Sequence, residues 1–460
     1  MRPVPIFGTS YDRLKKNYRH MKIMKFGGTS VGKPERMYQV KDLITADNEP
    51  TIVVLSALSG TTNALVGIGE ALSVGNKELA KERIDGLHAH YRTFCSDLYR
   101  TEASKEAGDK IIQEHFEFLN ILLKISFNDA ISKDILAQGE LLSTKLFYTL
   151  LQELSIDSVF LPALEYMSID EHGEPELQKI KERLSSLLAT YPDRRLFVTQ
   201  GYICKNHRNE VDNLKRGGSD YTASLIGAAI SASVVEIWTD IDGMHNNDPR
   251  IVDKTRPIAN LSFDEAAELA YFGAKILHPA SIWPAQQFNI PVKLLNTMQP
   301  EAVGTTITAS AESGGGVKAL AAKDGITAIK IKSSRMLLAY GFLRKVFEVF
   351  EKYRTSIDMI TTSEVAISLT IDDISHLEEI KLELDKFGTV EIDHNLAIIC
   401  IVGNLIMEQQ GVLQDIMESL SEIPLRMVSY GGSKHNVSVL VDAAYKNQAL
   451  QSLNQGLFDF

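Results

Sequence analysis

The sequence predicts an α/β protein in which a largely parallel sheet is followed by two smaller modules of strands and helices. Short apolar strands alternate with helical stretches from Lys22 to about Ile307, as in a parallel sheet covered by helices. Further on, the stretch ISLTID (Ile367–Asp372) resembles VSVLVD (Val437–Asp442), and a helical pattern follows each copy. Repeats of this size in a β-α-β-β-α-β order suggest two ferredoxin-like modules, although a chance likeness of two hairpins is the alternative.

Composition limits the kind of protein this is. The chain has 460 residues, 44% hydrophobic and 23% charged, which is ordinary for a soluble globular protein of roughly three domains. The net charge of −11 and the lack of a basic stripe argue against nucleic acid as the main partner. Its apolar runs are too short to span a bilayer.

Cysteine usage and the N-terminus bear on the compartment. Cys95, Cys204 and Cys400 form no CxxC and no metal-binding spacing, which predicts a reduced cytoplasmic setting. The first twenty residues carry charges and no apolar core, so they do not form a signal peptide. They are interpreted as an extension ahead of Met21, which could itself be a start.

The first element is a strand at Lys22–Phe26 that runs into the glycine loop KFGGTSVGKPE (Lys25–Glu35). The loop fits the spacing G-x-x-x-x-G-K, but Pro34 stands where a P-loop needs a magnesium-binding hydroxyl. Pro34 suits the first position of a helix instead. The loop is therefore either an anion site made of backbone amides beside Lys25 or a tight turn with solvated lysines.

Later elements follow from hydrophobic periodicity. A helix is predicted at Leu141–Leu154, where apolar residues recur at helical spacing. A Ser/Gly-rich break at 312–316 is typical of a loop or linker. Strands are predicted at Thr51–Leu55, Leu196–Thr199, Val234–Trp238 and Val292–Leu295.

A second glycine motif, KRGGSDYTASLIGAAI, runs into an apolar helix. Ser219 or Asp220 is expected to cap that helix, with Gly217 and Gly218 forming a tight entry. Arg216, two glycines and a helix N-terminus also make a site for a carboxylate or a phosphate. Both interpretations are open on the residues alone.

Three more motifs carry polar side chains. In QGELLSTKLF, Glu140 is expected to open a helix, where its charge is favourable anyway. In WTDIDGMHNNDPRIV, a strand ends at Thr239-Asp240 before a turn that carries Arg250, and ligands bind at such strand ends. In FGAKILHPASI, Lys275 lies beside Gly273, and His278 is interpreted as structural.

Together the motifs KFGGTS, RGGSDYTA, TD-x-x-G-x-x-x-x-DPR and FGAKILHP resemble those of aspartokinases of the amino acid kinase family, over nearly the whole chain from Lys22 to Phe460. The resemblance implies a three-layer αβα sandwich followed by two ferredoxin-like ACT domains. The implied domains are an extension (1–21), the catalytic domain (22–308), a linker and strand (309–324), and ACT domains at 325–388 and 389–460.

The resemblance also implies roles for individual residues. Lys25 would neutralise charge on the transferring phosphoryl group, and Asp220 would organise the reaction centre. The aspartate substrate would be bound by Thr62, Glu140, Arg216 and Ser219. The nucleotide and its phosphates would be bound by Lys25, Gly27, Gly28, Thr29, Ser30, Thr239, Asp240, His245, Arg250 and Lys275. Two positions depart from the family pattern: Lys215 replaces a glycine, and His245 replaces a nucleotide-stacking tyrosine.

The expected function is ATP-dependent phosphorylation of L-aspartate to 4-phospho-L-aspartate, with Mg²⁺, at the start of lysine, threonine and methionine biosynthesis. The alternatives are a kinase of the same fold for glutamate, and a catalytically silent amino-acid sensor that would have lost residues such as Lys25. No dinucleotide motif follows Asp372, so a fused homoserine dehydrogenase is not expected. The resemblance also implies a homodimer formed through the ACT domains.

Regulation is expected in the first C-terminal module. Asp358 and Glu364 flank the stretch Thr361-Thr362-Ser363, which alone would be interpreted as a solvated hairpin turn. The stretch resembles the effector site of lysine-sensitive aspartokinases, and two carboxylates would suit a dibasic amino acid. L-lysine is the predicted inhibitor, with L-threonine as the runner-up. The matching positions are Met336, Ile357, Asp358, Thr362, Ser363 and Glu364.

Overall fold

A computed structural model describes residues 21–214, 217–273, 277–310, 316–333, 340–404 and 406–458. The described chain divides into two compact units. The first contains residues 21–243, 259–263 and 277–310, and the second contains 244–258, 264–273 and the described residues from 316 onward. Two segments from the middle of the chain therefore belong to the same unit as its C-terminal region.

The first unit is built on an eight-stranded sheet in the order β3-β4-β2-β1-β7-β9-β10-β8. Neighbouring strands pair in parallel except for β9 and β10, so β10 and β8 run opposite to the other six strands. All four strands predicted by periodicity, and the strand before the glycine loop, are confirmed. The strands are β1 (Lys22–Phe26), β2 (Thr51–Leu55), β3 (Val159–Leu161), β4 (Leu196–Gln200), β7 (Val234–Thr239), β8 (Asn260–Ser262), β9 (Val292–Asn296) and β10 (Thr305–Thr308), with β5 (Ile203–Lys205) and β6 (Val211–Asn213) as a separate hairpin.

Helices connect these strands because parallel strands need crossover connections. Their apolar faces form a core with the sheet in which Phe26, Tyr91 and Phe147 are fully buried. The helices are α1 (Gly28–Val31), α2 (Pro34–Ile44), α3 (Thr61–Ser73), α4 (Lys77–Leu98), α5 (Glu102–Leu122), α6 (Asp129–Glu153), α7 (Ala163–Tyr166), α8 (Leu177–Ala189), α9 (Gly218–Ile230), α10 (Phe263–Tyr271, which continues into the second unit) and α11 (Pro279–Gln287).

The second unit contains a six-stranded antiparallel sheet in the order β12-β13-β11-β14-β16-β15. Both repeated sequence stretches lie on strands of this sheet, and a helix follows each of them, as predicted. The strands are β11 (Gly316–Lys332), β12 (Ile360–Thr362), β13 (Ala366–Ile371), β14 (Thr389–Asn404), β15 (Leu425–Tyr430) and β16 (Asn436–Asp442). The helices are α12 (Phe342–Lys352), α13 (Leu377–Leu384), α14 (Val412–Ser419) and α15 (Lys446–Leu457), with 3₁₀ turns at Ile406–Glu408 and Ala443–Tyr445.

The two central strands of this sheet are shared between two cores. The early half of β11 pairs with the late half of β14, as in Leu320 opposite Ile401, and these residues belong to the core under α14 and α15. The late half of β11 pairs with the early half of β14, as in Ile329 opposite Ile392, over the core under α12 and α13. The expected pair of β-α modules is present, joined through two long strands.

Several local expectations were wrong. Glu140 does not open a helix, because α6 begins at Asp129 and places Glu140 near its middle. Helix α9 is capped by Gly217 in a left-handed conformation, so Ser219 and Asp220 lie within its first turn instead of capping it. Thr361 and Thr362 belong to β12, and only the residues after them form the turn.

Pro34 and His278 have the local roles that the sequence indicated. Pro34 is the first residue of α2, and His278 has the structural role expected, since its Nδ1 caps α11 by accepting the N–H of Ala280. The break predicted at 312–316 lies almost entirely outside the described residues. The three cysteines are buried thiols. Of the helices in the described ranges, none combines the length and apolarity of a membrane span.

Candidate active site

The carboxyl ends of four neighbouring strands form one edge of the sheet in the first unit. In sheet order these are β4, β2, β1 and β7, and all four are parallel, so their ends face the same way. Ligands of open α/β folds bind at such an edge. Lys25, Gly201 and Thr239 lie at or just beyond these ends, so the predicted catalytic lysine occupies the edge where a ligand is expected.

An ion pair lies at this edge. The Nζ atom of Lys25 is 2.6 Å from an Oδ1 carboxylate oxygen of Asp220, which is in the first turn of α9. Both side chains are largely buried, at 11% and 15% exposure. The sequence predicted both residues as catalytic, and the structure brings them into contact.

The glycine loop is fixed by tight contacts around its backbone. Gly27 donates its N–H to the carbonyl of Trp238 on β7. A Cβ atom on Gly28 would lie only 2.9 Å from the carbonyl oxygen of Ala57, so a side chain has no room there. The carbonyl of Thr29 accepts a hydrogen bond from the Arg36 guanidinium. The loop is therefore held in one shape close to the ends of β1, β2 and β7.

Ser30 has a different environment from the one expected of a phosphate ligand. Its side chain is fully buried, and its Oγ atom is 2.7 Å from Oγ1 of Thr297, which lies just after β9. Its N–H donates to the carbonyl of Gly27. The N–H of Thr297 in turn donates to the carbonyl of Thr239. Ser30 thus ties the loop to the end of β7, and its hydroxyl and its N–H both have partners within the protein.

Glu140 is a buried carboxyl group. It is 5% exposed, and its Oε1 atom accepts the N–H of Ala57 just beyond β2 at 3.3 Å. Burial raises the pKa of Glu140 to about 8, and its backbone hydrogen bonds and the charge of Lys25 oppose that rise only in part. Burial, with a smaller contribution from Glu140, also raises the pKa of Tyr202 to about 12, which places Tyr202 in the same neighbourhood. A buried carboxyl of this kind is suited to receive a positive group.

The N-terminus of α9 is shaped by close packing. Gly217 has a φ of 66°, and a Cβ atom there would come within 2.6 Å of Ser281, so only glycine fits. Ser219 packs against Gly201, where a Cβ would approach its side chain to 2.3 Å. Arg216 lies outside the described residues.

The other predicted ligands of the first unit are more exposed. Thr62 is exposed in the first turn of α3, whereas its neighbour Thr61 is buried and hydrogen-bonded to the hydroxyl of Tyr91. The Thr239 hydroxyl donates to the Asp240 carboxylate at 3.1 Å. Lys275 lies outside the described residues.

Two predicted nucleotide ligands lie in the second unit, in the segment 244–258. The Nδ1 atom of His245 is 3.0 Å from the Thr255 hydroxyl. Arg250 donates from Nε and Nη2 to the two carboxylate oxygens of Asp248, at 2.9 and 2.7 Å, and its side chain is 86% exposed. The guanidinium is thus oriented by a two-point ion pair while it stays accessible.

The predicted effector residue Asp358 is not in a solvated turn. Its side chain is fully buried, and its Oδ1 accepts hydrogen bonds from Nζ of Lys323 and from the hydroxyl of Tyr271, both at 2.7 Å. Lys323 also pairs with Asp372 at 2.9 Å. The other oxygen, Oδ2, is buried without a hydrogen-bond partner among the described residues. Among the described residues, therefore, only one of the two carboxylate oxygens of Asp358 is hydrogen-bonded.

The remaining effector positions differ in accessibility. Ile357 packs at the edge of the core under α12 and α13, whereas Thr362 and Glu364 are exposed. Ser363 is also exposed, and its hydroxyl accepts the N–H of Ala366. Met336 lies outside the described residues.

Sequence reasoning missed several residues that contact predicted site residues, among them Thr297, Lys323 and Tyr271. Thr297 binds Ser30, and Lys323 and Tyr271 bind Asp358. Tyr271 directly precedes the motif FGAKILHP, which was the one available signal for it. Thr297 and Lys323 lie in no motif, so only the three-dimensional fold identifies them.

Comparison with known proteins identifies the family. The amino acid kinase family model matches residues 20–296, and an ACT domain model matches residues 399–457. Lysine-sensitive aspartokinase 3 of Escherichia coli (strain K12) is 33% identical over 448 residues, covering 95% of this chain and 99% of the relative. The chain belongs to the aspartokinases of the amino acid kinase family. This confirms the predicted kinase fold with C-terminal ACT structure and the predicted class of enzyme, an ATP-dependent aspartate kinase.

Two solved structures are similar over nearly the whole aspartokinase chain. E. coli aspartokinase III in complex with aspartate and ADP, in the R-state, has a TM-score of 0.83 at 32% identity, covering 96% of this chain and all of that one. The same enzyme with lysine and aspartate, in the T-state, has a TM-score of 0.79 at 32% identity and covers 95% of this chain. The relative therefore binds aspartate, ADP and lysine on this fold.

Proposed function

We propose that this aspartokinase transfers the γ-phosphoryl group of ATP to the β-carboxylate of L-aspartate at the strand edge around Lys25. The observation that carries this proposal is the contact of Lys25 with Asp220 beside a rigid glycine loop. Phosphoryl transfer depends mainly on positioning and on neutralising charge, and a preorganised lysine supplies both. The product, 4-phospho-L-aspartate, would enter lysine, threonine and methionine biosynthesis.

The substrate would be held by both of its α-substituents. Glu140 would receive the ammonium group, which explains why a carboxyl is buried there with a pKa raised to about 8. Arg216 would bind the α-carboxylate as a fork, and Ser219 and Thr62 would complete the pocket. With both groups held, only the β-carboxylate is free to attack, and it needs no general base because it is ionised at neutral pH.

Lys25 would stabilise the charge that develops on the transferring phosphoryl group. In the described structure its ammonium is oriented by Asp220, so it would not need to reorganise during the reaction. The amides of Gly28 and Thr29 would face the phosphates, and Gly27, whose N–H donates to the Trp238 carbonyl, would hold the loop in place. The Ser30 hydroxyl would contribute through the loop's shape, because it is bound to Thr297.

The nucleotide would be bound by residues from two segments of the chain, Thr239 and Asp240 from one and His245 and Arg250 from the other, together with Lys275. Mg²⁺ would neutralise phosphate charge, which is its general role in kinases. No cluster of three or more potential ligand side chains occurs in the described ranges. We propose that the phosphates would carry most of the ion's coordination, with the Asp220 carboxylate, which also pairs with Lys25, as a ligand from the protein.

We also propose that L-lysine inhibits the enzyme at Asp358. The buried Oδ2 atom of Asp358, which has no hydrogen-bond partner among the described residues, suits the ammonium of a dibasic effector. Met336, Ile357, Thr362, Ser363 and Glu364 would line the site. The E. coli relative with lysine bound supports this choice over threonine.

Assembly, location and domain limits are further parts of the proposal. A homodimer through the ACT domains, to be measured by light scattering, is proposed from the family resemblance. A cytoplasmic location is proposed from the three reduced, buried cysteines. The domain limits proposed from the family resemblance are 22–308, 325–388 and 389–460, with 309–324 as the connection, although the segments 244–258 and 264–273 belong to the second compact unit.

The activity is tested by an assay that couples ADP release to an optical signal, with aspartate and with glutamate as acceptors. Turnover with aspartate and none with glutamate is expected. A preference for glutamate would replace the proposed substrate, and no turnover with either would favour a sensor.

Arg216→Ala tests the substrate pocket. We expect it to raise the KM for aspartate far more than the KM for ATP, because losing one partner of a charged pair costs about 2–5 kcal/mol when the pair is buried. The opposite pattern would assign Arg216 to the phosphate site.

A further inference from the structure

The C-terminal helix α15 is joined to the segment 244–258 by a pair of buried asparagines. Asn247 and Asn454 are 3% and 6% exposed. Asn247 donates from Nδ2 to Oδ1 of Asn454 at 3.1 Å and to the carbonyl of Leu450 at 3.2 Å. Asn454 donates back from Nδ2 to the carbonyl of Lys254 at 3.3 Å. Helix and segment thus satisfy each other's buried polar groups, which are costly to leave unpaired.

Apolar packing and backbone hydrogen bonds strengthen the same attachment. Ile251 packs against the core formed by β14, β16, α14 and α15. The N–H of Leu320 on β11 donates to the carbonyl of Asn246 at 2.8 Å. Asn246 also closes the segment on itself, because its N–H donates to the Arg256 carbonyl and its Oδ1 accepts the Arg256 N–H. The segment is therefore a fixed loop mounted on the second C-terminal module.

A chain of hydrogen bonds connects the asparagine pair to Arg250. The Oδ1 atom of Asn247 accepts the N–H of Asp248 at 2.9 Å, and both carboxylate oxygens of Asp248 hold the Arg250 guanidinium. Asn247 therefore has one end of its amide on α15 and the other on the turn that orients Arg250. A shift of α15 would be passed to the guanidinium through two side chains.

We propose that Asn454, on the last helix of the regulatory region, is a positioning residue for nucleotide binding. It would act through Asn247 and Asp248 to set the direction of Arg250. The inference rests on the proposed role of Arg250 in nucleotide binding. It assigns to the second C-terminal module a part in holding the ATP-binding loop.

The test uses the full-length Asn454→Leu variant, whose side chain has nearly the same volume but makes no hydrogen bonds. The dissociation constant for ADP, measured by isothermal titration calorimetry, and the KM for ATP should both rise about 5- to 30-fold, as for a loss of one to two hydrogen bonds. The KM for aspartate should be unchanged. Gln455→Leu, the same replacement at the next, exposed position, should behave as wild type.

Two further variants separate positioning from loss of stability. Asn454→Ala adds no bulk and should also weaken ADP binding. The measurement is made at a temperature well below the onset of the thermal melt of this variant, so that the protein stays folded. In an Arg250→Ala background, Asn454→Leu should have little additional effect on ADP binding, because the group to be positioned is gone.

Three results would overturn the inference. One is ADP binding in Asn454→Leu and Asn454→Ala equal to that of wild type. Another is full additivity with Arg250→Ala. The third is a wild-type protein that binds no nucleotide, which would reject the proposed function and the inference with it, whereas the first two results leave the proposed function intact.

Discussion

Lys25 and Asp220 form a 2.6 Å ion pair between the end of β1 and the first turn of α9, at distant points of the sequence. The contact places a lysine charge on a rigid part of the sheet and fixes its direction with a carboxylate. It also means that the lysine is already paired before any anion arrives, so a bound phosphate would share this charge with Asp220.

Replacing Lys25 with methionine should abolish most of the activity and leave the fold intact. Removal of one preorganised charge at such a site typically lowers kcat by about 10²–10³-fold. Lys33→Met is the matched control, since Lys33 is exposed and is interpreted as incidental despite its P-loop spacing. Steady-state kinetics and thermal melts of both variants provide the check, and wild-type kcat in folded Lys25→Met would reject the assignment.

The raised pKa of Glu140 should appear in the pH profile of the enzyme. Ionised Glu140 is required to pair with the substrate ammonium, and the free enzyme loses this proton only as the pH rises through about 8. The value of kcat/KM for aspartate should therefore climb with pH and level off above about 8, since this parameter reports groups of the free enzyme. A flat profile across neutral pH would contradict the proposed role.

Glu140 should also make stability depend on pH. Its pKa is higher in the folded protein than the ordinary 4.5, so the folded state binds the proton more tightly than the unfolded chain. The free energy of unfolding contributed by this group should then decrease as the pH rises from 4.5 to about 8. Urea unfolding at the two ends of this range should show a smaller difference in Glu140→Gln than in wild type, and an equal difference would argue against the raised pKa.

Thr297 should matter for catalysis although it lies in no motif. Thr297→Val keeps the shape but removes the 2.7 Å partner of the buried Ser30 hydroxyl and leaves it only the longer contact, 3.4 Å, with the Trp238 carbonyl. This loss should loosen the glycine loop and lower kcat. Thr297→Ser retains a hydroxyl and should stay close to wild type. In a double-mutant cycle with Ser30→Ala, a coupling of about 0.5–1.5 kcal/mol is expected for the buried hydrogen bond. Zero coupling would mean that the 2.7 Å contact does not hold the loop.

Lysine titration should distinguish Asp358 from its neighbours. Wild type should be inhibited by L-lysine, through a coupling that is typically about 1–3 kcal/mol, and Asp358→Ala should not. Lys323→Met should be inhibited at lower lysine concentrations, because the effector ammonium at Oδ2 would no longer be opposed by the positive charge of Lys323 at Oδ1. Lys330→Met, at an exposed position on the same strand, is the control.

Other outcomes of the lysine titration would change the proposed effector or the proposed effector site. Inhibition of wild type by threonine alone would change the effector. Equal lysine inhibition of wild type and Asp358→Ala would place the lysine sensor elsewhere. Weaker inhibition of Lys323→Met than of wild type would mean that Lys323 helps to form the effector site instead of competing for it.

The strands of the first unit could be predicted because each is a short apolar run between polar segments. Glu140 could not be placed in the same way. The helix α6 buries residues on most of its sides, including Gln138, Gly139 and Glu140, so no single apolar stripe marks where it begins. Gly139, just before Glu140, resembles the start of a helix in the sequence. In the structure Gly139 lies within the helix, where a Cβ atom would come too close to the side chain of Ala57.

Contacts between distant segments were beyond sequence reasoning for a different reason. The turn-like residues around Asp358 are polar, and nothing local indicates that Lys323 and Tyr271 enclose it. Likewise, Thr297 and Ser30 meet only because β9 and β1 flank the same strand, β7. Motifs identify the side chains that chemistry needs, whereas the groups that orient them follow from strand order and register.

Because they share the long strands β11 and β14, the two C-terminal modules should not separate into independent domains. Each strand runs without interruption through both cores, so a cut between residues 388 and 389 would leave each fragment lacking half of its sheet. The two modules should melt in a single cooperative transition, and neither should be recoverable as a stable fragment. Hybrid enzymes with altered effector specificity would then have to exchange everything from residue 316 onward as one piece.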